Sequence, residues 1–316
     1  MIVGYFGKLP SAGDFLRGGV AGEPASGFER WVEQGMVYGG SRRASWAADF
    51  DAGAPHGFVY RPPASAQAIS VIAGVIAPSR DRVGRRFPIV IFCQIPGPIL
   101  AGAPHVAPLL LGEFLEHAGE ILHAAPTLSP EAFRAAVAGV AAPRIDQLAT
   151  HATEYAEWAQ GTPTSTPFGV TYGDPSSAGP AHAIDTLIQC VAPMLGQEPM
   201  DTPLAARLPL GAGGIASAAF WIDVTRRVAR WRQTTPTAFW SAAAGGGQLL
   251  IQLGATPVSS LAELWSPDPD SDHVCDLVGQ PRASTESIHA RLPPHVAERL
   301  RELQAPITQL LYALSA

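Results

Sequence analysis

Two apolar runs, Ile69–Ala77 and Pro88–Ile95, lie so close together that they restrict the fold more than any other feature of the chain. Both are almost wholly Ile, Val and small residues, the composition of strands covered on both faces. The gap between them is too short for a helical crossover, so the two runs are expected to pair antiparallel. That gap holds Arg80, Asp81, Arg82, Arg85 and Arg86, four arginines and one aspartate in seven residues. A loop this charged, held between two core strands, must project from an edge of the sheet. Guanidinium groups are planar, bidentate donors suited to carboxylate or phosphate partners.

The rest of the chain supplies elements to surround that hairpin. Ile2–Phe6 and Gly57–Arg61 read as further strands. After the first of these comes GKLPSAGDFLRGG, where Pro10 and Gly13 mark a tight connection and Asp14 is placed to cap a helical turn. Phe28, Trp31, Val32, Gly35 and Met36 recur on one face of an amphipathic helix, and Trp46 and Phe50 read as packing residues. Val106–His123, Pro130–Val140 and Arg144–Gln160 follow as helices, the second with Ser129 as N-cap and proline at its first position. Gly161–Gly179, rich in Thr, Pro, Ser and Gly, reads as a loop or linker. His182–Cys190 is helical; Ala218–Val224, Thr237–Trp240 and Leu249–Leu253 read as strands, and Val258–Trp265 as a helix. An acidic loop, Pro267–Asp276, precedes two apolar stripes, Val296/Leu300/Leu303 and Ile307/Leu310/Leu314, with Pro306 at the break.

Composition narrows the function classes. A chain of 316 residues with 47% hydrophobic and 15% charged residues buries a substantial core. Its formal charge of −6 argues against general nucleic-acid binding, where phosphate neutralisation dominates affinity. No apolar run approaches the roughly 20 residues of a membrane span. The opening MIVGYFGK lacks the layout of a secretory leader. Cys93, Cys190 and Cys275 form an odd, scattered trio that does not make a disulfide framework, and a cytoplasmic location is expected.

Catalytic patterns are equally sparse. GYFGK lacks the spacing of a P-loop, and Leu9 stands where that motif needs a hydroxyl. Gly211, Gly213 and Ala216 fit G-x-G-x-x-A, but Pro209 spoils the strand that should precede them, so a glycine-rich turn is the better reading. Asp268, Asp270 and Asp272 mimic calcium-loop ligands, but His273 and Gly279 replace the required glycine and glutamate, which leaves a solvated acidic loop. His117 and His123 miss the spacing of a helical metal pair, and His273 with Cys275 supplies only two ligands. No catalytic residue, cofactor site or metal site is assigned. For the arginine hinge itself, a purely structural reading has Asp81 paired with a neighbouring arginine and Gly84 supplying a turn with positive φ.

Four stretches, in order, carry a resemblance. Gly4-Tyr-Phe-Gly-Lys-Leu-Pro-Ser-Ala-Gly-Asp-Phe15 resembles the opening signature of the TagF (ImpM) family, accessory proteins of bacterial type VI secretion. Phe28-Glu-Arg-Trp31 falls where that family has a Trp/Leu-Asp-x-Trp helix. Pro78-Ser-Arg-Asp-Arg-Val-Gly-Arg-Arg-Phe-Pro88 matches its PS-x-DRVGR-x-FP segment, and Pro236-Thr-Ala-Phe-Trp-Ser241 is similar to its FWS-type element. Ala12 stands where many members carry arginine. The resemblance covers residues 1–265 and leaves 266–316 as an acidic loop with a C-terminal helical extension.

The resemblance implies an α/β (α+β) fold, a mainly antiparallel central sheet flanked by helices, similar to longin or SNARE-like domains. It implies a non-enzymatic, post-translational repressor of type VI secretion on the cytoplasmic side, opposing activation through a forkhead-associated-domain protein. The expected docking patch comprises Asp14, Arg17, Arg80, Asp81, Arg82, Arg85 and Arg86, facing an acidic protein surface. The alternatives are a phosphopeptide-recognising module using the same arginines, and an enzyme whose residues meet only in three dimensions.

Overall fold

The computed structural model describes residues 1–63, 70–195, 202–241, 246–279, 281 and 283–316; Ile69 and Gly245 lie outside them. Strands β1 (Val3–Lys8) and β2 (Phe15–Gly18) form a hairpin, followed by helices α1 (Gly22–Arg42) and α2 (Trp46–Asp51). Strands β3 (His56–Tyr60), β4 (Ser70–Ala77) and β5 (Ile89–Pro96) come next. A helical stretch then holds α3 (Gly97–Ala101), α4 (Ala107–Leu110), α5 (Gly112–Ala124), α6 (Pro130–Ala138), α7 (Leu148–Gly161), α8 (Ser165–Tyr172) and α9 (Ala178–Val191). The second half contributes β6 (Ala205–Gly211), α10 (Gly214–Val228), β7 (Ala238–Ser241), β8 (Gly247–Gln252), α11 (Ser259–Trp265) and β9 (Val274–Asp276). Three short helices close the chain: α12 (Thr285–His289), α13 (Pro294–Arg301) and α14 (Ile307–Ala313).

All nine strands join one sheet in the order β2-β1-β5-β4-β3-β7-β8-β6-β9. Every pairing is antiparallel except β6 with β9. The β4–β5 hairpin at its heart is the pair of apolar runs, in register from Ser70↔Pro96 to Ala77↔Ile89. Side chains alternate across the pleat. Ile89, Ile91, Cys93 and Ile95 enter one core, while Val90 and Phe92 enter the other. Helices α1, α2 and α11 cover the second face, where Phe28, Trp31, Phe58 and Phe239 stack at 4.9–5.9 Å. The remaining helices cover the first. With both faces covered, a strand gains nothing from polar residues, hence the near-continuous apolar runs.

Several expectations need correction. Ala218–Val224 is no strand; it lies inside α10, where every residue from Ser217 to Thr225 is buried. A helix buried on all sides loses its amphipathic period and reads as a short apolar strand. Gly161–Gly179 is no linker either. It contains α8, whose Phe168 is fully buried against Phe220 and Trp221 at 5.8 and 6.3 Å, so packing overrides a turn-rich composition. Asp14 caps no helical turn; the residues after it form β2. Val106–His123 is broken: a short 3-10 turn, α4 and α5 share that span, with the join at Leu111 and Gly112. Ser129, by contrast, caps α6 as expected, accepting the Ala132 N–H at 3.1 Å.

Pro209 does not abolish the strand before the glycines. Strand β6 runs through it, with a register shift between Pro209 and Gly211 that absorbs the missing N–H. The turn that follows has strand-to-helix geometry, yet it is filled. A Cβ on Gly211 would meet the Val170 carbonyl oxygen at 2.1 Å, so the main chain of α8 sits where a phosphate would have to go.

Candidate docking surface

Two loops meet at the end of the sheet that carries β2, β1, β5 and β4. The loop from Pro78 to Pro88 joins β4 to β5, and the loop from Leu9 to Asp14 joins β1 to β2. Main-chain and side-chain bonds stitch them together. The Arg82 N–H donates to the Ala12 carbonyl at 2.8 Å, the Ser79 hydroxyl to the Lys8 carbonyl at 2.7 Å, and Arg85 Nη2 to the Gly13 carbonyl at 2.7 Å. Gly7 allows the strands to lie this close: its φ is +130°, and a Cβ there would stand 2.1 Å from the Pro88 carbonyl oxygen.

Asp81 is the centre of the assembly. Its carboxylate is buried, with Oδ1 accepting the N–H groups of Val83 and Arg85 at 3.1 and 2.9 Å. Oδ2 takes Arg85 Nε at 2.6 Å and Lys8 Nζ at 3.0 Å. Burial opposes ionisation, but the Arg85 amide, the Lys8 ammonium and the Arg85 guanidinium outweigh it and hold the carboxyl far below the usual carboxylate range. The chain reverses over it through Gly84 at φ +88°, whose N–H donates to the Asp81 carbonyl at 2.9 Å. The structural reading of Asp81 and Gly84 thus describes the geometry, and Asp81 is withdrawn from the surface it was assigned to.

The arginines divide in two. Arg86 forms a bidentate pair with Asp51 of α2 at 2.6 and 2.9 Å. That bond, more than the nearby charge of Arg80, lowers the Asp51 carboxyl against the opposing effect of burial. Arg17 of β2 pairs with Glu29 of α1 at 3.0 Å. Arg80 and Arg82 are exposed, and no hydrogen bond or ion pair ties their side chains among the described residues. Arg85 keeps 63% of its side chain in solvent while its Nε holds Asp81. Asp14 is exposed on the same rim. The sheet end therefore brings Asp14, Arg80, Arg82 and Arg85 together, with Arg86 and Arg17 flanking them in pairs of their own.

Two features beside this rim escape the sequence. Strand β2 stands last in the sheet, so its outer backbone edge has no strand neighbour among the described residues. Between β2 and α1 opens a cleft of ≈ 450 Å³ lined by Phe15, Arg17, Ser26, Glu29, Arg30 and Glu33. Phe15 packs edge-on to Phe87 at 5.1 Å and remains partly exposed, and Val83 at the loop tip is 68% exposed. Lys8, Asp51 and Glu29 escape the sequence likewise, because the sheet and helices α1 and α2 set them beside their partners Asp81, Arg86 and Arg17.

Residues 4–140 match the model of the TagF N-terminal domain, described as type VI secretion system-associated. This segment is a TagF domain. It runs from β1 to just past α6, carries both stitched loops, and ties the chain to type VI secretion. PA0076 from Pseudomonas aeruginosa PAO1, whose crystal structure was solved at 2.05 Å, is similar with a TM-score of 0.50 and 20% identity, over 85% of this chain and 96% of its own. At that identity the likeness is one of fold. No curated protein matches the chain. Among the described residues, no helix is long and apolar enough to cross a membrane, and no cluster of His, Cys, Asp and Glu has the geometry to hold a metal ion. Asp268, the first residue of the calcium-loop mimic, pairs with Arg43 at 2.7 Å.

Proposed function

We propose that this protein is a non-enzymatic, post-translational repressor of type VI secretion that docks on a protein partner through the TagF-domain rim. The observation that supports this reading is the buried Asp81. It fixes both loops from within while leaving Arg80, Arg82 and most of Arg85 in water. A surface already ordered before contact avoids part of the entropy cost of association. A basic rim on a chain of formal charge −6 steers acidic surfaces toward one spot. The partner in this reading is an acidic surface of a cytoplasmic type VI secretion component, and the family resemblance points to the forkhead-associated-domain protein.

The test reverses Arg80 and Arg82 together to glutamate and spares Arg85, which holds Asp81. Pull-down of the forkhead-associated-domain protein is expected to be lost and secretion released, with circular dichroism and melting unchanged. Full binding by this double variant would overturn the reading. That no carboxylate among the described residues forms an ion pair with Arg80 or Arg82 also suits a phosphorylated residue on that partner. Phosphatase treatment of the partner separates the two: binding lost only after dephosphorylation makes the rim a phosphopeptide reader. An enzymatic reading would use the recess of ≈ 150 Å³ between α5 and α7, lined in part by Glu113, His117, Arg144 and His151. Under the docking reading, replacing His117 and His151 by alanine leaves repression intact.

A further inference from the structure

The end of the sheet opposite the rim holds a second arrangement that sequence spacing conceals. Cys190 lies in the last turn of α9, and Cys275 is the middle residue of β9. They stand 85 positions apart in the chain, yet their sulfurs are 2.8 Å apart, closer than two unbonded sulfur atoms ordinarily approach. A disulfide needs about 2.05 Å, so closure asks for less than about 1 Å of side-chain movement. Both residues are half-buried and within reach of a small oxidant, whereas Cys93 is sealed in the core. The two thiols therefore do not belong to a scattered trio.

Electrostatics assigns them different roles. The hydrogen bond from Cys190 lowers the Cys275 thiol to about 7 against the effect of burial, and the Cys190 thiol is raised by the same bond and by burial. A thiol titrating near neutrality presents thiolate, the nucleophilic form.

We propose that Cys190 and Cys275 are a redox modification site, an adjacent thiol pair that a hydroperoxide converts to a disulfide joining β9 to α9. The Cys275 thiolate attacks one oxygen of the peroxide. The O–O bond breaks, the departing oxygen takes a proton to leave as water, and Cys275 becomes a sulfenic acid. The Cys190 sulfur then attacks the Cys275 sulfur, the S–O bond breaks, and hydroxide leaves as water with the Cys190 proton. Two thiols and one hydrogen peroxide give one disulfide and two waters. Strand β9 is only three residues long and is held by a parallel ladder to β6, with Cys275 opposite Ala206. The new bond anchors this short edge strand to the helical layer. In a reducing compartment such a pair rests as thiols and closes transiently. The proposal stands apart from the docking reading and from any partner.

The test treats the purified full-length protein with hydrogen peroxide, alkylates what remains, and maps peptides by mass spectrometry. The expected product is one intramolecular Cys190–Cys275 cross-link, lighter by two hydrogens, reversed by dithiothreitol, with Cys93 alkylated only after denaturation. In Cys190→Ser the reaction stops at a Cys275 sulfenic acid that dimedone captures; in Cys275→Ser, Cys190 stays a thiol. The oxidised wild type melts higher than the reduced form. Should peroxide leave both cysteines as alkylatable as before, or should the cross-link join Cys93 or two chains instead, the proposal fails. Wild-type peptide mapping decides the matter even if a serine variant folds poorly.

Discussion

Replacing Arg207 by methionine tests how the second half of the sheet is held. Arg207 is a guanidinium on β6, the strand next to the sheet edge at β9, 2% exposed, with Nη2 at 2.6 Å from Glu263 Oε2 on α11 and Nη1 at 2.9 Å from Asp276 Oδ2 on β9. Glu263 is 4% exposed and also accepts the Asp268 N–H at 2.9 Å, which fastens the acidic loop. Methionine fills much of the volume but leaves the Glu263 carboxylate buried without its cation, whereas Asp276 is reached by water. Breaking a buried pair from one side costs about 3–5 kcal/mol. With an unfolding entropy of about 2 cal/mol/K per residue, that corresponds to a fall of about 5–8 °C in Tm. Scanning calorimetry and urea titration of the reduced protein measure it. The Arg207→Met/Glu263→Met double variant removes both charges and recovers a good part of the loss, short of all of it because the Asp268 amide loses its acceptor. A single variant melting with the wild type, or a double variant worse than either single, would refute the reasoning.

Two other outcomes rest on buried ionisable groups. Burial pushes the His56 imidazole from 6.5 down to about 4, the Arg207 charge adds to this, and the bond to the Ala54 carbonyl opposes it. The unfolded chain then binds the proton first, so stability is unaffected above about pH 6.5 and falls as the pH drops toward about 4; Tm measured across this range is expected to fall less steeply in His56→Phe. His105, pushed down to about 4 chiefly by burial, sustains the slope that remains. Asp81→Asn places an amide N–H₂ against Lys8 and Arg85, so hydrogen exchange at Val83 and Arg85 is expected to accelerate and partner binding to weaken with Arg80 and Arg82 intact; unchanged protection would remove Asp81 from its central place.

How much of this was legible depended on whether the causes were local. The β4–β5 hairpin was readable because one short gap and two apolar runs admit few alternatives. The Ser129 cap was readable because its partner is three residues away. Burial on every side hid α10, since a helix without a polar face has no period to detect. Pro209 hid β6, because the bulge that accommodates it belongs to the pairing with β8. At the rim, the residue types were visible but their division of labour was not. The pairing of Asp81 with a neighbouring arginine was readable, but its full burial was not, because the Lys8 ammonium that completes its shell comes from β1. The Cys190–Cys275 pair lies further beyond reach, since α9 and β9 meet only in the assembled sheet.

The pairing of β3 with β7, through Gly57↔Trp240, Phe58↔Phe239 and Val59↔Ala238, lies between a strand of the TagF domain and a strand outside it. A chain severed after residue 140 would carry a raw seam down β3, with Trp31 and Phe58 robbed of Phe239. Such a fragment would seek another copy of itself to heal the seam. The segment that bears the family signature is therefore a portion of a fold, and the strands and helices of the second half act as its missing wall.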